Sequence, residues 1–214
     1  MDDLSDKKIN KKNILQFIGK NSGISDGNTK GAESDDRIAV IGLACRFPDA
    51  DDHRQFWDNL LEGKCSIREI KRWDEEDYYS ADRNAENMSY SKWGGMLDDI
   101  ASFDPAFFDI TPAEAIKMDP QQRILLEETW HAFENAGYSD RDLSGMKCGI
   151  YVGIADSSYG DVLSENNISA DSYRCMGLNN SILASRISYF LNMKGPAIAV
   201  DTACSSSLTA IHLA

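Results

Sequence analysis

The chain has 214 residues, with 35 acidic against 22 basic side chains and a formal net charge of −13. So acidic a surface excludes nucleic acid or an anionic membrane as the main partner, and an acidic carrier protein would need a local basic patch on which to dock. With 42% hydrophobic and 27% charged residues the composition is that of an ordinary globular protein. There is no apolar run long enough to span a membrane, and the first residues lack the apolar core of a signal peptide. Cysteines 45, 65, 148, 175 and 204 are scattered, with no Cys-x-x-Cys or Cys/His spacing. That pattern predicts no metal site, reduced thiols and a cytoplasmic location.

Residues 1–36 differ in composition from the rest of the chain. They are rich in Lys, Asp, Asn, Ser and Gly, and their one apolar cluster is Ile14, Leu15, Phe17 and Ile18. A flexible linker or docking tail with a possible short helix is expected there. The folded region is expected over residues 37–214. It opens with Ile38-Ala-Val-Ile-Gly-Leu-Ala44, a continuous apolar run of the kind a parallel strand covered on both faces requires. Asp52 and Gln55 give a capping-box pattern, Phe56, Trp57, Leu60 and Leu61 a helical stripe, and Gly63 a stop. From Lys64 to Ile110 no period dominates, and the aromatics Trp73, Tyr78, Tyr79, Tyr90 and Trp93 predict a long excursion with short helices packed on its own rings.

Thr111-Pro-Ala-Glu114 and Asp119-Pro120 are two successive helix starts. The second predicts the longest helix, Pro120 to about Asn135, with Leu125, Thr129, Ala132 and Phe133 on one face and Leu126 and Trp130 beside it. His131 on this helix reads as structural. A second buried strand is expected at Cys148–Ile154, where Gly149 and Gly153 predict the close approach of another element. A helix comes next, from about Asn180 to Leu191. Alternation of strands and helices argues for a mostly parallel sheet with helices on both faces.

The last eighteen residues carry the chemistry. Ala197–Val200 reads as a short buried strand, Thr202-Ala203-Cys204-Ser205 as a turn of small residues, and Leu208, Ile211 and Leu213 as the apolar side of a helix. Cys204 therefore sits where a strand turns into a helix. Two readings of it are open on position alone. It is one more small buried residue, or it is a nucleophile whose thiolate is favoured by the free N–H groups and positive end of the helix. The pattern runs to Ala214 without a capping signal, which reads as a helix continuing in a longer chain.

The string Val-Asp-Thr-Ala-Cys204-Ser-Ser-Ser-Leu208 resembles the active-site signature of β-ketoacyl synthases, and most closely the ketosynthase domains of modular polyketide synthases. Ile38–Pro48, Phe56-Trp57, Phe103-Asp-Pro-Ala-Phe-Phe108, Met118-Asp-Pro-Gln-Gln-Arg123, Tyr151-Val-Gly153 and Ser185-Arg-Ile-Ser-Tyr189 before Gly195-Pro196 are similar to further landmarks of that family, in its order. The resemblance implies the N-terminal half of a thiolase-like α/β fold, up to the nucleophile. It implies that Cys204 accepts an acyl chain from the phosphopantetheine thioester of an acyl carrier protein, with the Cys204 backbone N–H as an oxyanion donor. Because Cys204 is not replaced by Gln, a decarboxylase-only loading variant is disfavoured. The resemblance implies no directly bound cofactor and no metal.

The implied partners are acyl carrier protein, other polyketide synthase domains and a second copy in a homodimer. The two histidines that complete the reaction belong to the family's second half, and none of His53, His131 or His212 matches their motifs. The isolated chain is therefore expected to be inactive and to expose an apolar face. Two alternatives remain open: a thiolase-fold acyltransferase that does not condense, and a half-domain that serves only as a structural or interaction unit.

Overall fold

The structure, a computed structural model, describes residues 38–214. The predicted tail, residues 1–36, lies outside the described residues. The described residues form two compact units, one over residues 38–40 and 45–98 and the other over residues 41–44 and 99–214.

In the first unit, helix α1 (His53–Glu62) begins and ends where its signals place it. The Asp52 carboxylate accepts from the N–H groups of Arg54 and Gln55 at 2.7 and 2.9 Å, and Gly63 closes the helix at φ 68°. The Gln55 side chain reaches back to the Asp51 N–H (3.3 Å) rather than to Asp52. Of the aromatics expected to pack the excursion, Trp73 and Tyr78 meet edge-on at 5.3 Å, but Trp73, Tyr90 and Trp93 are exposed. The excursion contains the short helix α2 (Glu75–Tyr78) and an antiparallel pair that periodicity does not show, β1 (Arg68–Glu69) against β2 (Trp93–Gly94). Arg68 latches this unit, donating to Asp49 at 2.5 Å and to Asp98.

The second unit carries α3 (Pro112–Ala115), α4 (Pro120–Asn135), α5 (Asp140–Leu143), β3 (Ile150–Gly153), α6 (Tyr159–Glu165), α7 (Ser172–Leu178), α8 (Asn180–Phe190), β4 (Ala197–Val200) and, after a turn of 3-10 helix at Ala203–Ser205, α9 (Ser206–Leu213). Strands β3 and β4 are parallel, with Ile150 opposite Ala197 and Gly153 opposite Val200. Side chains alternate between the two faces of such a pair. Val152 and, just beyond β3, Ile154 enter a buried cluster with Leu183, Ala184 and Ile187 of α8. Gly153 points the other way, against α9. A Cβ there would lie 2.5 Å from the Ser207 nitrogen and 2.6 Å from the Ser206 carbonyl carbon. The close approach predicted from the two β3-region glycines is this one. Gly149 instead faces Tyr151 and Pro196.

Two expectations are corrected. The mostly parallel sheet is, among the described residues, one parallel pair and one antiparallel pair of two residues each side. Ile38–Ala44 is not a strand: it is irregular, with Ile38 and Val40 91% and 85% exposed. The physical reason lies at the end of α4. The Leu43 N–H donates to the Asn135 side chain at 3.0 Å, and Gly42 sits so close to the Ala132 carbonyl that a Cβ would come within 2.3 Å of it. Gly42 and Leu43 are held against a helix C-terminus, and among the described residues this stretch pairs with no strand. On α9, Leu208 and Ile211 are likewise exposed.

Replacing Gly153 by Ala should push α9 off β3, because the obstructing atoms are backbone and cannot rotate away. A loss on the order of 2–3 kcal/mol is expected. Chemical denaturation of the wild-type and variant chains, compared at their midpoints, measures it.

Candidate active site

The turn between β4 and α9 reverses the chain within four residues. Ala203 pays for the reversal with φ 54°, the left-handed region that residues bearing a Cβ avoid. Hydroxyls and a carboxylate hold it there. Asp201 accepts from the Ala203 N–H at 3.0 Å. The Ser206 hydroxyl accepts from the Thr202 N–H at 2.9 Å and donates to the Ala203 carbonyl at 2.7 Å. Ser205 donates to the Thr202 carbonyl at 2.8 Å, and Thr202 and Thr209 meet through their hydroxyls at 3.2 Å.

Cys204 is the second residue of the 3-10 turn and is exposed. It is not the small buried residue that position alone allowed. Small neighbours, Ala203 and Ser205, flank it. Its N–H makes no hydrogen bond to any described residue, as expected for one of the first donors of a helix. Because α9 begins two residues later, the Cys204 thiol stands at the positive end of the helix dipole.

The histidines are elsewhere. His212 is in the last turn of α9, eight residues on, or about 12 Å along the axis. His131 is exposed on α4, with Glu128 3.7 Å away, and His53 opens α1. Of the other cysteines, Cys148 lies just before β3 and Cys45 before α1, both half-buried. Among the described residues no three His, Cys, Asp or Glu side chains gather as a metal ion would require, and no helix is long and apolar enough to cross a membrane.

A second feature, which sequence reading noticed only as a motif, is a buried polar hub built by Met118–Arg123. Asp119 caps α4 through the Gln121 N–H (2.8 Å) and accepts from the Ser157 hydroxyl. Gln122, 2% exposed, donates to the carbonyls of Met176 (3.1 Å) and Asn179 (3.3 Å) and accepts from Arg186 Nε (3.1 Å). Arg186 also pairs with Glu114 at 2.6 Å. Arg123 donates to the Ala101 carbonyl at 3.0 Å and lies over the Tyr159 ring. The hub ties α3, α4, α7 and α8 together. The first turns of α4 therefore bury Gln122 and Arg123 with Leu126, while the predicted face of Leu125, Thr129, Ala132 and Phe133 is only half-buried. The available signal was spacing: positions 119, 122, 123 and 126 share one helical face.

An α/β unit with an exposed cysteine on a strained strand-to-helix turn is a class of fold and site with known relatives. Residues 35–214 match the family described as "Beta-ketoacyl synthase, N-terminal domain", and the chain belongs to that family. Among similar curated proteins, the polyketide synthase ThaG of Burkholderia thailandensis is 45% identical over 194 residues, 90% of this chain and 3% of its own length. The polyketide synthase PksL of Bacillus subtilis is 48% identical over 182 residues, 84% of this chain and 4% of its own.

Solved structures agree. The Streptomyces albus oxazolomycin ketosynthase domain superposes with a TM-score of 0.74 at 43% identity, covering 82% of this chain and 31% of that one. The ketosynthase from module 6 of the Bacillus subtilis bacillaene synthase gives 0.69 at 47% identity, covering 82% and 28%. The chain thus spans less than a third of each solved ketosynthase domain and a few per cent of each whole synthase.

The hub and its neighbours generate two expected outcomes. Gln122→Ala should cost on the order of 2–3 kcal/mol in a denaturant titration, since it removes a buried side chain and strips a partner from the Met176 and Asn179 carbonyls and from Arg186. Asp171, which caps α7, has its carboxyl held below the usual carboxylate range, first by the hydrogen bond from Lys117 and then by the Arg174 N–H. Its stabilisation is present at neutral pH and is lost as pH falls through the lowered folded value. Asp171→Asn should therefore flatten the acid limb of a stability-against-pH curve, below about pH 4, and leave the curve above pH 6 parallel to wild type.

Proposed function

We propose that this chain supplies the acyl-accepting nucleophile of a polyketide synthase ketosynthase, and that Cys204 is that nucleophile. The carrying observation is its placement: an exposed thiol at the start of a helix, on a turn held in a strained conformation, with the N–H of the same residue left unspent. A thioester exchange needs these things. The sulfur must be accessible and favoured as thiolate, and a fixed donor must face the oxygen that becomes negative in the tetrahedral intermediate.

The Cys204 thiolate attacks the carbonyl carbon of an acyl thioester carried on phosphopantetheine. The new carbon–sulfur bond forms as the bond to the pantetheine sulfur breaks, and the departing thiolate takes up a proton. In the second half-reaction a malonyl-type thioester loses carbon dioxide. The electron pair left behind attacks the acyl-cysteine, making a carbon–carbon bond and returning Cys204 as thiolate. That half-reaction uses histidines that the family resemblance assigns to the region following this one. The partners on this reading are acyl carrier protein, neighbouring synthase domains and a second copy of the ketosynthase, in the cytoplasm. Residues 1–36 serve as a linker or docking tail. The exposed Leu208 and Ile211 offer an apolar surface to the rest of the domain, which the family likeness supports.

Incubation with a short acyl N-acetylcysteamine thioester, followed by peptide mass spectrometry, tests the assignment. The acyl mass should appear on Cys204 and vanish in Cys204→Ala. Acylation of Cys45 or Cys148, with Cys204 unmodified, contradicts it.

A further inference from the structure

We propose that Ser206 is a positioning residue that aims the Cys204 backbone N–H, and so sets the rate of acyl transfer to this cysteine. The inference rests on Cys204 being the nucleophile.

Ser206 is 5% exposed in a turn whose other hydroxyl-bearing residues are more open to solvent. Among the described residues it is the one buried polar residue outside the α4 hub. Both of its hydroxyl bonds go to the turn itself, one to the Thr202 N–H and one to the Ala203 carbonyl. They bracket Ala203, the residue at φ 54°. The Ser206 N–H adds a second donor to the same Ala203 carbonyl.

That carbonyl belongs to the peptide group that also contains the Cys204 N–H. A peptide is planar and trans, so its C=O and N–H point in opposite directions. Holding the Ala203 oxygen towards the buried side of the turn therefore turns the Cys204 N–H to the opposite side, where it meets no protein acceptor. Without the hydroxyl, the left-handed geometry at an alanine is disfavoured, and the peptide plane is held by the Ser206 N–H alone. The thiol would remain exposed on its turn, but its oxyanion donor would lose its aim. Ser206 touches neither substrate nor sulfur on this account. It acts through the peptide it holds.

The test separates aim from mere integrity. In the intact protein, Cys204 is acylated with an acyl N-acetylcysteamine thioester and, separately, alkylated with iodoacetamide. Alkylation needs the thiolate but no oxyanion donor. Ser206→Ala should slow acylation about ten-fold or more, short of the 10²–10³ typical of losing a donor outright, while alkylation stays within about two-fold. Its melting temperature should fall by only a few degrees, the loss expected of two hydrogen bonds. Ser206→Thr, which keeps the hydroxyl, should recover most of the acylation rate. Acylation of Ser206→Ala at the wild-type rate overturns the proposal, as does an equal fall in acylation and alkylation, which would mark Ser206 as structural only. If wild-type Cys204 is alkylated but never acylated, the nucleophile assignment fails, and this proposal with it.

Discussion

Everything at the site depends on the absence of one carbon atom. Gly153 ends β3 with its Cβ direction occupied by the backbone of Ser206 and Ser207. Parallel pairing sets β4 beside β3, with Val200 opposite Gly153. The chain must then climb from the end of β4 onto the face that Gly153 leaves bare, and it has only Asp201 to Ser205 in which to do so. The left-handed Ala203 is the consequence. It costs about 1 kcal/mol, and the hydrogen bonds that Asp201 accepts and Ser206 makes, each worth about that much, offset it. Cys204 is the residue that this reversal throws outward. Its exposure, its unspent N–H and its place at a helix start are one geometric fact with three chemical consequences.

The polar hub has the same character on a larger scale. α4 begins with a proline after a capping aspartate and then buries Gln122 and Arg123, residues that would be costly inside unless every strong donor and acceptor found a partner. Most of those partners come from the carbonyls at the end of α7, from Arg186 on α8 and from the loop at Ala101, while the buried Arg123 Nε has none among the described residues. Gly177 permits α7 to rest directly on Lys117 and Met118. Because α8 leads into β4, a network fixed at Gln122 also fixes the element that delivers the chain to the Cys204 turn.

Much of this was legible in the residues, because much of it is local. Asp52, Thr111 and Asp119 announced their helices through capping chemistry, and α4 runs from Pro120 to Asn135 as its signals require. The strand at Ala197–Val200 and the helix after Cys204 were equally plain. Pairing was not, since it is decided between distant segments. The apolar run Ile38–Ala44 has the composition of a buried strand, yet its backbone answers to Asn135 and Ala132. The β1–β2 pair is two residues long on each side, too short to leave a period. Gln122 and Arg123 were visible only as part of a motif, because a helical stripe is sought among apolar residues. Ala203 gave no warning of its positive φ, because alanine is not a residue that marks such turns. Only the three-dimensional demand of Gly153 puts it there.

The central claim is that this turn presents both the sulfur and the N–H of Cys204 to the same substrate carbonyl. A crystal structure of the acylated protein tests it most directly. The account predicts an acyl group on the Cys204 sulfur with its carbonyl oxygen about 3 Å from the Cys204 nitrogen and Ala203 still at positive φ. An acyl oxygen turned away from that N–H, or an Ala203 that has relaxed out of the left-handed region, would contradict it.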